Sequence, residues 1–165
     1  MKNLILLSAI SLAMIAVAPA EPPASPMQAA LDKYIVIQTA LAGDSLKGVP
    51  EAAAEIASLA KANDGAVAAP AEALAKTTEI KAAREAFKPL SAALITALST
   101  QKSISGQYFE AFCPMANASW IQAGKKIANP YFGAGMSGCG EIRKPLGGSP
   151  QASAPASGGM GCCGS

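Results

Sequence analysis

The sequence predicts a mainly α fold: an antiparallel four-helix bundle with a small irregular cap, rich in aromatic residues and in Cys and Met, at its C-terminal end. Three observations predict it. Residues 27–101 are rich in Ala and repeat apolar side chains at helical spacing. Proline and Gly/Asp pairs interrupt that stretch at intervals of helix length. Composition then changes near Ser103, because six of the eight aromatic residues (Tyr108, Phe109, Phe112, Trp120, Tyr131 and Phe132) fall within residues 108–132.

The chain opens with the form of a secretory signal peptide over residues 1–20. Lys2 precedes an uncharged apolar run, residues 4–17, and Ala18-Pro19-Ala20 offers the small residues a signal peptidase recognises. A run of 14 residues falls short of the roughly 18 needed to cross a bilayer. No cysteine stands at its end to carry a lipid anchor. Residues 21–26, Glu-Pro-Pro-Ala-Ser-Pro, read as a flexible leader. The expected mature protein is therefore periplasmic or secreted, without a membrane span once the signal is cleaved.

A single helical domain over residues 27–145 follows, with the bundle in 27–102 and the cap in 103–145. In the first helix Leu31, Tyr34, Ile35, Gln38 and Leu41 form one stripe between Pro26 and Gly43-Asp44. The second opens at Pro50, buries Ile56 and Leu59, and stops at Asn63-Asp64-Gly65. Pro70 opens a third, whose inner face carries Leu74, Thr77, Ile80, Ala83 or Arg84, and Phe87. Pro89 removes a backbone N–H, so a fourth helix carries Leu90, Leu94 and Leu98. Short connections favour antiparallel neighbours. Within the cap, residues 107–112 suit a short strand and residues 119–122 its hairpin partner. Residues 146–165 are Gly, Ser, Ala and Pro with two cysteines, too poor in apolar surface to order, and read as a disordered tail.

Charge and composition exclude several classes of function. A formal net charge of +2 without a basic stripe gives no footprint for nucleic acid. There is no histidine, which removes Ser-His-Asp and Cys-His catalysis and imidazole-ligated zinc. Glu51, Glu55, Glu79 and Glu85 lie on helix faces that need charge, and the glycines at 133, 135, 138 and 140 follow no phosphate-binding pattern. The sequence therefore predicts a protein that is not an enzyme. A thiol oxidoreductase is the weakest fit, because no Cys-x-x-Cys opens a helix.

The chemistry that remains is sulfur. Cys113 stands two residues before Met115, and Met136 three residues before Cys139. Positions i and i+3 share a face of a helical turn, and i and i+2 share a face of an extended segment. Each pair could thus aim at one point. Two thiolates and two thioethers form a soft donor set suited to Cu(I) or Ag(I). The competing reading is a Cys113–Cys139 disulfide, which would close a loop of about 27 residues and stabilise the domain by roughly 3–4 kcal/mol. Spacing leaves both open. A third sulfur group, Met160 with the vicinal Cys162-Cys163, reads equally as an ion-capturing arm or as an exposed tail.

Four separated motifs in the cap carry a resemblance: Cys113-Pro114-Met115-Ala116, Trp120-Ile121-Gln122, Asn129-Pro130-Tyr131-Phe132-Gly133 and Met136-x-x-Cys139-Gly140. In the helical half, Tyr34, Ala40-Leu41-Ala42-Gly43-Asp44 and Arg84-x-x-Phe87-x-x-x-Ser91 add to it. Over about residues 31–142 the chain resembles a bacterial domain-of-unknown-function family, found as stand-alone periplasmic proteins and as a module on the adaptor (membrane-fusion) subunits of copper/silver efflux systems. The resemblance implies a periplasmic helical domain linked to copper or silver handling, with an efflux adaptor or another envelope metal-handling protein as partner. Its soft atoms fall on Cys113, Met115, Met136 and Cys139. Trp120, Tyr131 and Phe132 would shield the site, and Asn129-Pro130 would fix the turn that joins its halves. The chain departs from the pattern in its short stretch between Ala116 and Trp120 and in its Cys-Cys tail.

Overall fold

The structure is a computed structural model that describes residues 25–62, 65–100 and 104–147. The expected signal peptide, most of the leader, the Asn63-Asp64 stop and the tail with Cys162 and Cys163 lie outside the described residues. Four helices, α1 (Pro26–Ala42), α2 (Val49–Lys61), α3 (Gly65–Ala75) and α4 (Ile80–Ser99), precede a small sheet of three strands, β1 (Tyr108–Cys113), β2 (Ala118–Ala123) and β3 (Glu141–Leu146). A short 3-10 turn, Gly133–Met136, lies between β2 and β3. None of the described helices is long and apolar enough to cross a membrane.

Helix α1 starts where its sequence directs. Ser25 Oγ accepts the Gln28 N–H at 3.1 Å, and Pro26 occupies the first turn, where its missing donor costs nothing. The buried face comprises Ala30, Leu31, Tyr34, Ile37, Gln38 and Leu41, so Ile37 takes the core position expected of Ile35, which is half-buried. Glycine at 48 enters α2 with φ at 77°, and α2 buries Ile56 fully and Leu59 in part.

The third and fourth helices divide differently from the sequence expectation. Helix α3 begins at Gly65, five residues before Pro70, and ends at Ala75. Its end is fixed by Thr77, whose backbone N–H and hydroxyl both donate to Leu74 O, at 3.1 and 2.8 Å. Helix α4 starts at Ile80 and runs through Pro89 without stopping. Burial decides this: Ala83, Phe87, Leu90, Leu94 and Leu98 lie on one continuous buried stripe. The apolar area they remove from water outweighs one lost ladder bond.

The cap is more regular than its composition suggests. Strands β1 and β2 pair antiparallel with Ala111 opposite Trp120 and Cys113 opposite Ala118, close to the expected hairpin. Strand β3, which the sequence pattern does not reveal, pairs on the other side of β1 through a register shift at Glu110/Ala111, giving the order β2-β1-β3. It reaches Leu146, inside the stretch expected to be disordered, and Leu146 is buried. A bulge and the run Glu-Ile-Arg-Lys-Pro-Leu erase the alternation that marks a strand. Charge and Pro145 suit this edge, since both discourage pairing with another chain.

The opposite edge, β2, faces α1 and α4. Its outward polar groups are capped by tyrosines. The Ile121 N–H donates to Tyr34 Oη at 3.1 Å, and Tyr131 Oη donates to Ser119 O. Ser91 on α4 joins Tyr34, its Oγ 2.7 Å from Tyr34 Oη. Among the described residues no buried side-chain nitrogen or oxygen lacks a hydrogen-bond partner. Burial pushes both phenols well above their ordinary pKa, so they remain neutral. Ring contacts reinforce the seam: Tyr34 stacks on Phe87 at 4.9 Å, and Phe87 and Trp120 both approach Tyr131, at 6.0 and 5.9 Å.

Candidate thiol site

Cys113 is the last residue of β1, and Cys139 lies in the turn between Met136 and β3. Strand β3 begins at Glu141, paired with Phe112, so its register carries Cys139 to the end of β1 where Cys113 stands. The two Sγ atoms are 3.5 Å apart, and the residues are 0% and 7% exposed. Both are thiols, with no bond between them. The convergence expected of these two remote segments is present, at a separation longer than an S–S bond.

Three groups hold this geometry. Asn129, fully buried, donates from Nδ2 to Cys139 O at 2.7 Å, and its backbone N–H donates to Ser137 O. Its Oδ1 accepts the Tyr131 and Phe132 N–H groups at 2.8 and 3.3 Å. One side chain thereby closes the loop 129–139 upon itself. Gly140 packs against Trp120: a Cβ there would stand 2.7 Å from the indole Cη2, and φ is 142°. Only glycine fits both demands. Trp120 in turn donates from Nε1 to Gln122 Oε1 at 3.0 Å, while Gln122 Nε2 donates to Gly124 O and Lys126 O. Of the three aromatic residues expected to shield the site, Trp120 and Tyr131 are buried and Phe132 is half-buried.

The thioethers stand differently. Met115 does not follow Cys113 along an extended segment. It falls in the turn 114–117, closed by Asn117 N–H to Pro114 O, and is 66% exposed. The reason lies in Pro114 and Asn117: proline favours a turn here, and Asn117 adopts φ of 47°, which bends the chain back into β2. Met136 shares one turn with Cys139, as the Cys139 N–H to Met136 O bond of 3.0 Å shows, and is 37% exposed. The described residues hold no group of three or more Cys, Asp or Glu side chains disposed around a point. Any ion would rest on the thiol pair with thioether or external donors.

Sequence reasoning from spacing missed one further group. Arg84 on α4 donates from Nη2 to Leu41 O at 2.8 Å and to Asp44 Oδ1, and from Nε to Pro130 O at 3.0 Å. Asp44 Oδ2 accepts the Ala134 N–H at 2.9 Å. Gly133, with φ of 58°, sits so close that a Cβ would overlap the Asp44 carboxylate and the Arg84 guanidinium. The Arg84 guanidinium, with help from the Ala134 N–H, holds the Asp44 carboxyl below its ordinary pKa. These residues belong to the motifs quoted above, yet composition gives no hint that they meet.

No curated protein and no solved structure matches the chain. Residues 30–106 match a family model described as "Protein of unknown function (DUF3347)", so the helical half, up to the approach to β1, is similar to a domain-of-unknown-function family.

Proposed function

We propose that this chain is a periplasmic binding protein for a soft monovalent ion, Cu(I) or Ag(I), accessory to metal efflux or homeostasis and not an enzyme. Cys113 and Cys139 are its principal ligands, with Met136 and Met115 as thioether donors at the mouth. The observation that supports it is the approach of two buried thiols to 3.5 Å from segments 26 residues apart. With metal–sulfur bonds of about 2.3 Å, that separation corresponds to an S–metal–S angle of about 100°. A linear two-thiolate ion would need about 4.6 Å instead. A bent pair leaves positions open for further soft donors, and Met136, which shares a turn with Cys139, is one of them. The scaffold we infer is an antiparallel four-helix bundle, its α1/α4 seam filled by β2. Localisation and the efflux partner rest on the signal-like N-terminus and on the family resemblance.

The test is a Cu(I) titration of the reduced protein against a competing chelator, in a chain carrying Cys162→Ser and Cys163→Ser. One ion per chain is expected, lost on further Cys113→Ser, Cys139→Ser substitution, and about tenfold weaker in Met136→Leu. Unchanged affinity without the two buried thiols would remove the reading.

The same distance favours one other reading, a disulfide-stapled interaction module of the envelope. Closing 3.5 Å to a bond of about 2.05 Å needs a shift that a single loop can supply. Mass measurement with and without reductant separates the two. A pair that stays oxidised at envelope redox poise and takes up no ion fits the staple.

A further inference from the structure

Each thiol reaches the site on a segment that the helices hold separately. Cys113 rides on β1, paired to β2, and β2 is pinned to α1 and α4 by Tyr34 and Ser91. Cys139 rides on the loop 129–139, and that loop is pinned to the helices by Asp44 and Arg84. The contacts at this second anchor are continuous. Arg84 grips Leu41 O at the end of α1, Asp44 just beyond it, and Pro130 O in the loop. Asp44 receives the Ala134 N–H from the same loop. Pro130 is the neighbour of Asn129, which holds Cys139 by its carbonyl. Nothing apolar could replace this clamp, because it satisfies two backbone carbonyls and one N–H at once.

We propose that Asp44 and Arg84 are a positioning pair for the thiol site: their ion pair, remote in sequence from both cysteines, sets how often Cys139 Sγ meets Cys113 Sγ. This deepens the reading of the site given above and takes the thiol pair as its working part. The physical effect is on effective concentration. Two groups held in register react or chelate as one, whereas a loop free at one end lets them part. Arginine is required in its own right, since Nε and Nη2 reach acceptors on different segments at once, and a lysine has one nitrogen where this needs two at a fixed separation.

The equilibrium between dithiol and disulfide measures this directly. We expect the constant for Cys113–Cys139 disulfide formation against a glutathione buffer to fall about tenfold in Asp44→Asn. In the two-electron couple this is a potential about 30 mV less negative. Arg84→Lys, which keeps the charge and serves if Asp44→Asn fails to fold, is expected to fall in the same direction. All chains carry Cys162→Ser and Cys163→Ser, so that only one pair titrates. Ile56→Val, a core change on α2 remote from the loop, lowers Tm but leaves the constant unmoved, which separates positioning from general destabilisation. Constants for Asp44→Asn and Arg84→Lys within about twofold of the parent would overturn the proposal. Soft-ion affinity is read separately by chelator competition. If the clamp variants shift the thiol equilibrium while the chain without Cys113 and Cys139 still binds Cu(I) as tightly, the clamp stands and the ion reading falls.

Discussion

The helical half and the sheet half of this molecule are stabilised in different ways. Helices α1 to α4 bury Ala, Leu and Ile along continuous stripes, where each residue contributes a little and a neighbour of similar size would serve. The sheet half is smaller and depends on contacts that have no substitute. Trp120 lies against a glycine, Asn129 closes a loop, and two tyrosines cap a strand edge. The first half forgives change and the second does not. Packing energy is spread over many atoms, whereas a buried polar group either finds its one partner or costs the whole desolvation penalty.

The sharpest way to break that comparison is to truncate one large residue on each side. Trp120→Ala removes a fully buried indole from the sheet half and is expected to cost about 3–5 kcal/mol, with a smaller loss, toward the lower end of about 2–5 kcal/mol, for Ile56→Ala in α2. Urea unfolding followed by circular dichroism reads both. Equal losses would mean that the two halves share one kind of packing after all.

A smaller effect is expected from Tyr34→Phe, which keeps the ring stacked on Phe87 and deletes one hydroxyl. The Ile121 N–H and Ser91 each lose a partner, at a cost of about 1–3 kcal/mol. Faster hydrogen exchange at the Ile121 amide should report it locally. If that amide keeps its protection, the tyrosine is not the cap of the strand edge.

The smallest effect concerns pH. Asp44 has its folded pKa depressed, first by Arg84 and then by the Ala134 N–H, so its contribution to stability is present above the ordinary aspartate value of about 3.9 and lost as pH falls through the lower folded value. Protection of the Ala134 amide, corrected for intrinsic exchange, should therefore be flat from neutrality to about pH 5 and decline below about pH 4. Asp44→Asn should lack this decline. A transition centred near neutral pH would assign the loop's anchoring to another group.

The cap was partly legible. Its hairpin could be read from the strand-like runs at residues 107–112 and 119–122, and the meeting of Cys113 and Cys139 from paired Cys/Met spacing. Met115 was misplaced because spacing assumes an extended chain where Pro114 and Asn117 make a turn. The Asp44–Arg84 clamp was illegible, since a charged residue near a helix end has the same pattern whether it meets water or a loop 46 residues away.

By itself the sequence determined that the region ahead of the cap is helical and where its first two helices begin, because helical periodicity and proline and glycine punctuation act over a few residues. It did not determine that α4 runs through Pro89, that Glu141–Leu146 becomes a strand, or that Arg84 reaches across to Pro130. Those were decided by tertiary structure, where the gain from a distant surface or partner exceeds a local preference worth only a few kcal/mol.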